Sequence, residues 1–102
     1  MDKKAIITIS QRAKQKLLEN LTIEQLIVFG SQVTGKAKQY SDIDIAVISN
    51  DFGKDYWEEE KQVSQIVKSI DSRFEVHVFN PGDFSNTLDP LVSEIHKFGV
   101  TV

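Results

Sequence analysis

The chain contains no cysteine. Disulfides, thiolate zinc sites, iron–sulfur clusters and cysteine nucleophiles are therefore excluded. A secreted origin loses its usual support, and a reducing cytoplasm is the expected compartment. Long apolar runs are also missing: none exceeds five residues, against the roughly 20 that span a bilayer. The N-terminal MDKKAIITISQRAKQ carries charge without a sustained apolar core, so no signal peptide is expected. Prolines number two and glycines five, and no repeat, linker or low-complexity tract breaks the chain. Excess positive charge is absent as well. The formal net charge of −3 gives no overall attraction to nucleic acid or an anionic membrane.

What is present is a β-branched core. Ile and Val total 21 residues against six Leu, an excess that favours sheet. At 102 residues one domain, 1–102, is expected. Such a chain buries roughly two-thirds of its unfolded surface, enough for one modest core. Charge is uneven. Residues 1–51 hold seven basic and six acidic side chains, residues 52–102 five and nine. A basic patch, if present, belongs to the first half.

Residues 5–9 (AIITI) read as a short strand or extended lead-in, with Ser10 as N-cap of a helix to Asn20. Ala13, Leu17 and Leu21 form that helix's buried stripe. The run from Leu26 to Phe29 is a strand buried on both faces. A turn, a short helix and a loop fill residues 30–41. Residues 43–48 give a second strand. Asp55 caps a long helix to Ser72, with Val63, Ile66, Val67 and Ile70 inward. Residues 74–79 form a third strand, and residues 80–83 (NPGD) a turn. Asp89-Pro90 opens a last helix whose core face is Leu91, Val92, Ile95 and Phe98. Gly99 stops it, and residues 100–102 add an edge strand. The fold class is α/β (α+β), a three- or four-stranded sheet against helices.

Chemistry concentrates between Phe29 and Ile48. Asp42 and Asp44, two apart at a strand start, place their carboxylates on one face. Two such charges about 4 Å apart repel by several kcal/mol at an effective dielectric near 20. They must share a proton or bind a cation, and carboxylate oxygens suit Mg²⁺ or Mn²⁺. A solvated strand end is the bland alternative. Gly30-Ser31 follows a buried strand and precedes a helix, an arrangement that lets backbone N–H groups meet a phosphate. An ordinary N-capped turn explains it equally well in isolation. Lys36 and Lys38 read either as solvated loop lysines or as charges that draw a polyphosphate.

The combination of Gly30-Ser31, Gly35 and Ser41-Asp42-Ile43-Asp44 resembles the nucleotidyltransferase domain of the DNA polymerase β superfamily. In particular it resembles the minimal nucleotidyltransferases, small proteins often encoded beside a HEPN-domain partner. The similarity extends over nearly all of the chain. It implies a palm-like mixed sheet with helices mainly on one face. It implies that Asp42, Asp44 and a third carboxylate act in catalysis and hold two Mg²⁺ (or Mn²⁺) ions. Gly30, Ser31 and Lys36 would bind the phosphates of ATP or another nucleoside triphosphate. The implied reaction is transfer of a nucleoside monophosphate, AMP from ATP, to a hydroxyl. The implied acceptor is a tyrosine of a HEPN toxin, which makes the chain an antitoxin in the cytoplasm, with a homo-oligomer also allowed. Neither membrane association nor sequence-specific nucleic-acid binding is expected.

Two positions depart from the family pattern. The third acid falls on Phe74-Glu75-Val76-His77-Val78-Phe79, where Glu75 and His77 share a face. One alignment selects Glu75, the preferred metal ligand, and a slide by two selects His77. Gln32 stands where many relatives carry arginine, which removes a charge near the phosphates. These departures keep a second reading open, a weakened transferase that neutralises its partner by contact alone. Transfer to a small molecule is more remote, since no acceptor domain is visible. Tyr40 reads either as an edge of the nucleotide pocket or as loop packing, and Tyr56, Trp57 and His96 read as packing or surface residues.

Overall fold

The computed structural model describes residues 2–38 and 41–102. Tyr40 lies outside them. The elements run α1 (Lys3–Leu18), β1 (Gln25–Phe29), α2 (Ser31–Thr34), β2 (Ile43–Ile48), α3 (Tyr56–Val67), β3 (Phe74–Phe79), α4 (Pro81–Phe84), α5 (Pro90–Phe98) and β4 (Val100–Thr101). The sheet has the order β3-β2-β1-β4. β1 is antiparallel to both β2 and β4, and β2 is parallel to β3, with α3 as the crossover. A mixed four-stranded sheet is thus what the β-branched residues build.

Alternation along the strands divides the core between two faces. One face carries Leu26, Val28, Ile43, Ile45, Val47, Phe74 and Val76, covered by Ile6, Ala13 and Leu17 of α1 and Val63 and Val67 of α3. The other carries Ile27, Phe29, Ala46 and Ile48, covered by Phe84 of α4 and Val92 and Ile95 of α5. The two long helices share one face, and α4 and α5 cover the second.

Several local expectations change. Residues 5–9 are helical, and Ser10 lies inside α1 rather than at its cap. Asp2 caps the helix, accepting from the Ala5 N–H at 2.8 Å. The helix wins over the β-branched propensity because Ile6, Ser10, Ala13 and Leu17 recur at helical spacing and all are buried. α3 stops at Val67, short of Ser72, and Ile70 packs from the turn beyond it. The segment at Asn80 is a helix start rather than a plain turn. Asn80 accepts from the Asp83 N–H at 2.7 Å, Pro81 occupies the first turn, and Phe84 enters the second core. Phe98, expected inside, is 58 % exposed. Gly99 does stop α5, but at φ −68° rather than in the left-handed region. A Cβ there would overlap Ile27 Cγ2 and the Ile95 carbonyl. The glycine lets the helix end close onto β1 so that β4 can pair. Among the described residues, no helix is long and apolar enough to cross a membrane.

Candidate active site

β1 ends at Phe29, directly opposite Asp44 of β2. The chain then turns through Gly30, whose φ of +78° and ψ of −155° only glycine adopts readily. A Cβ on Gly30 would overlap Asp44 Oδ2. The backbone therefore passes against the carboxylate, and α2 starts at once with Ser31. Gln32 is buried and donates from Nε2 to the Ser41 carbonyl at 3.0 Å. Ser41 Oγ in turn accepts from the Lys38 N–H at 2.8 Å. Gln32 thus ties α2 to the segment that delivers Asp42 and Asp44. Read from sequence, this position showed only a missing charge; its positioning bond spans nine residues and has no local pattern.

The parallel register sets Glu75 beside Asp44 and His77 beside Ala46. All three functional groups share the sheet face of Phe29, Ala46 and Ile48. One ligand atom from each of Asp44, Glu75 and His77 falls within 4.8 Å of the others. His77 Nε2 is 3.9 Å from Asp44 Oδ1, and its ring lies against Phe29 with centroids 5.3 Å apart. Asp42 is exposed just before β2 and stands outside this group, though its charge reaches Glu75. Glu75 and His77, which the sequence offered as alternatives, thus meet at one place.

The electrostatics follow from that crowding. The Glu75 carboxyl is raised above its ordinary value by hydrogen bonding with Asp44, then by burial and by the Asp44 charge. His77 opposes the shift and Asp42 adds to it. His77 is also raised. The pull of Asp44 comes first, burial opposes it, and the charges of Asp44, Glu75 and Glu60 add to it. Both shifts favour the protonated forms, and a bound cation would oppose them. The donors fit a divalent cation: two carboxylates and an imidazole converge beside a backbone turn, half-open to solvent.

A cavity of about 570 Å³ adjoins the turn, lined by Gly30, Ser31, Val33, Thr34, Lys36, Glu94 and Phe98. That volume is in the range of small-molecule sites. Gly30, Ser31 and Lys36 are together there, as expected. Glu94 and Phe98 of α5 were not anticipated. The exposed Phe98 at a helix end, read as core from its spacing, forms part of this wall.

Comparison with known proteins agrees with this layout. Residues 8–99 match the family model described as a nucleotidyltransferase domain. A provisionally named protein adenylyltransferase of Methanocaldococcus jannaschii is 31% identical over a 90-residue alignment that covers 83% of this chain. The match spans 60% of that relative's length. A crystal structure of a provisionally named nucleotidyltransferase from Sulfolobus solfataricus shares the fold, with TM-score 0.72 and 17% identity. It covers 97% of this chain and 80% of that one. A toxin–antitoxin crystallised with AMP-PNP aligns with TM-score 0.58 and 21% identity, covering 99% of this chain and 72% of that one. The chain belongs to the nucleotidyltransferase domain family, as its likeness to the minimal nucleotidyltransferases implied.

Proposed function

We propose that the chain moves AMP from ATP onto a protein hydroxyl in a divalent-cation-dependent reaction, and that the acceptor is a tyrosine of a HEPN-domain toxin. The observation that carries this is the contact between a glycine-only turn and a metal-competent carboxylate. The backbone at Gly30 passes so close to the Asp44 carboxylate that a Cβ would overlap it, and the strand register adds Glu75 beside it. A triphosphate can then lie with its tail on the turn and its α-phosphate at the acids.

Asp44 and Glu75, with Asp42 from the adjoining segment, would hold the cations. When bound, divalent cations neutralise phosphate charge and lower the pKa of the acceptor hydroxyl. Gly30 and Ser31 present donors to the β- and γ-phosphates, and Lys36 adds a positive charge at the cavity wall. The acceptor oxygen forms a bond to the α-phosphorus. The bond from that phosphorus to the bridging oxygen breaks, pyrophosphate leaves, and the hydroxyl proton passes to solvent. Support for a protein acceptor comes from the adenylyltransferase name of the Methanocaldococcus relative. Support for a toxin partner comes from the toxin–antitoxin neighbour.

The exposed position of Asp42, outside the ligand group, favours a second reading in which the chain silences its partner by contact alone. Incubation with the protein encoded beside it, α-labelled ATP and Mg²⁺ or Mn²⁺ separates the two. Label on the partner that disappears in Asp44→Asn is the expected result. Cells protected equally by wild type and by the Asp42→Asn/Asp44→Asn double variant would overturn the enzymatic account of antitoxin action.

A further inference from the structure

We propose that His77 is itself a metal ligand, and that its nitrogen shifts this site from Mg²⁺ toward Mn²⁺. The inference rests on the metal-dependent reading above. It makes Glu75 and His77 joint donors rather than alternatives for one position.

Three observations carry it. First, the strand register puts His77 two residues beyond Glu75 on the same face, and both groups reach Asp44. Second, among the described residues the imidazole has no hydrogen bond of ordinary length, and the carboxylate within ion-pair range is that of Asp44, whose Oδ1 lies 3.9 Å from Nε2. That is too long for a hydrogen bond, whose N···O separation is about 2.7–3.2 Å. It is short enough for one ion to bridge, since metal–ligand bonds of about 2.1 Å place donors up to roughly 4.2 Å apart. Third, the ring is held rather than free. Phe29 lies against it at 5.3 Å between centroids, and the side chain is 29% exposed. A packed ring with its nitrogen facing a carboxylate is pre-set for ligation.

The donor chemistry then decides the ion. Mg²⁺ favours oxygen ligands in near-ideal octahedral geometry and is poorly served by imidazole. First-row transition ions accept nitrogen, and Mn²⁺ among them also retains affinity for carboxylates and phosphates. Two carboxylate groups with one imidazole therefore favour Mn²⁺, whereas an all-carboxylate set would not discriminate against Mg²⁺.

The test uses Mn²⁺ as the probe on the whole chain, with inorganic tripolyphosphate in place of ATP so that no nucleobase nitrogen intrudes. Pulsed electron paramagnetic resonance should show a nitrogen coupling of directly bound imidazole. It should convert to the ¹⁵N pattern when histidine alone is ¹⁵N-labelled. The coupling should vanish in His77→Gln and persist in His96→Gln, the other histidine of the chain. In calorimetric titration, wild type should bind Mn²⁺ at least about tenfold more tightly than Mg²⁺, and His77→Asp should narrow that ratio about tenfold. Circular dichroism of each variant confirms folding, and His77→Asp keeps the test usable if His77→Gln misfolds. Bound Mn²⁺ without imidazole coupling, or a Mn²⁺/Mg²⁺ ratio unchanged in His77→Asp, overturns the role of His77 while leaving the metal-dependent reaction standing. Failure of wild type to bind Mn²⁺ even with tripolyphosphate overturns both.

Discussion

At the scale of single residues, Gly30 shows how backbone geometry and chemistry become one requirement. An L side chain at positive φ costs roughly 1–2 kcal/mol, and at Gly30 its Cβ would also displace the Asp44 carboxylate. Gly35 separates the two effects. Its φ is +79°, but nothing lies within 4 Å of a Cβ built there. Gly30→Ala and Gly35→Ala should each lower Tm by about 4–8 °C per kcal/mol lost. Nucleotide transfer should collapse only in Gly30→Ala, as label incorporation would show. Asp71 gives a prediction of another kind. Arg73 donates to it from Nε at 3.0 Å and Nη2 at 2.8 Å, and this bonding holds the Asp71 carboxyl below its ordinary value. A depressed carboxyl stabilises the fold above its unfolded pKa of about 3.9 and loses that contribution as pH falls through the native value. The pair is partly exposed, so about 0.5–1.5 kcal/mol is expected. Asp71→Asn should be less stable by that amount at pH 7 in urea unfolding, with the gap closing as pH drops below about 4.

At the scale of elements, legibility depended on whether the signal was local. β1, β2 and β3 were readable because their apolar runs end at glycine, at the paired aspartates and at Asn80-Pro81. The crossover helix α3 was readable from Asp55 and its stripe, and the parallel pairing followed once the sheet was seen. α1 was misread because Ile6, Ile7 and Ile9 carry a local strand preference that tertiary burial overrides. Its buried stripe includes a polar residue, Ser10, which disguised the period. That serine remains a liability. Its Oγ is buried without a hydrogen-bond partner among the described residues. Ser10→Ala removes the unpaired hydroxyl and raises helix propensity, so it should stabilise by about 1 kcal/mol and raise Tm by about 4–8 °C. A fall in Tm on thermal melting would mean that the hydroxyl is satisfied in solution. In the candidate site, Gly30, Ser31 and Asp44 were legible as candidates because they lie within 15 residues of one another, whereas Asp42 falls outside the ligand group. Glu94 and Phe98 were not legible, because it is the packing of Val92 and Ile95 against Ile27 and Phe29 that brings α5 to the turn.

At the scale of the whole molecule, the sheet stores repulsion at one end that its two apolar faces must outweigh. Asp44 and Glu75 are held side by side by strand pairing rather than by mutual attraction, and Asp42 adds a third charge nearby. Like charges about 4 Å apart at an effective dielectric near 20 oppose each other by about 4 kcal/mol before solvent and proton sharing reduce it. A small domain has only about 5–15 kcal/mol of net stability. Glu75 is exposed, so screening leaves only a fraction of that figure as a load on the fold, and relieving it should show as a small shift. With cations chelated, Glu75→Gln should melt a few degrees above wild type, because one charge is gone and the amide can donate to Asp44. With Mn²⁺ and tripolyphosphate present the order should reverse. Wild type then gains stability from ligand binding, about 2.7 kcal/mol at a hundredfold excess over Kd, while the variant gains little and transfers no label. Thermal melts of both proteins in the two conditions measure this crossing directly. If Glu75→Gln instead melts below wild type without cations, the carboxylates stabilise one another through a shared proton, and the load lies elsewhere in the fold.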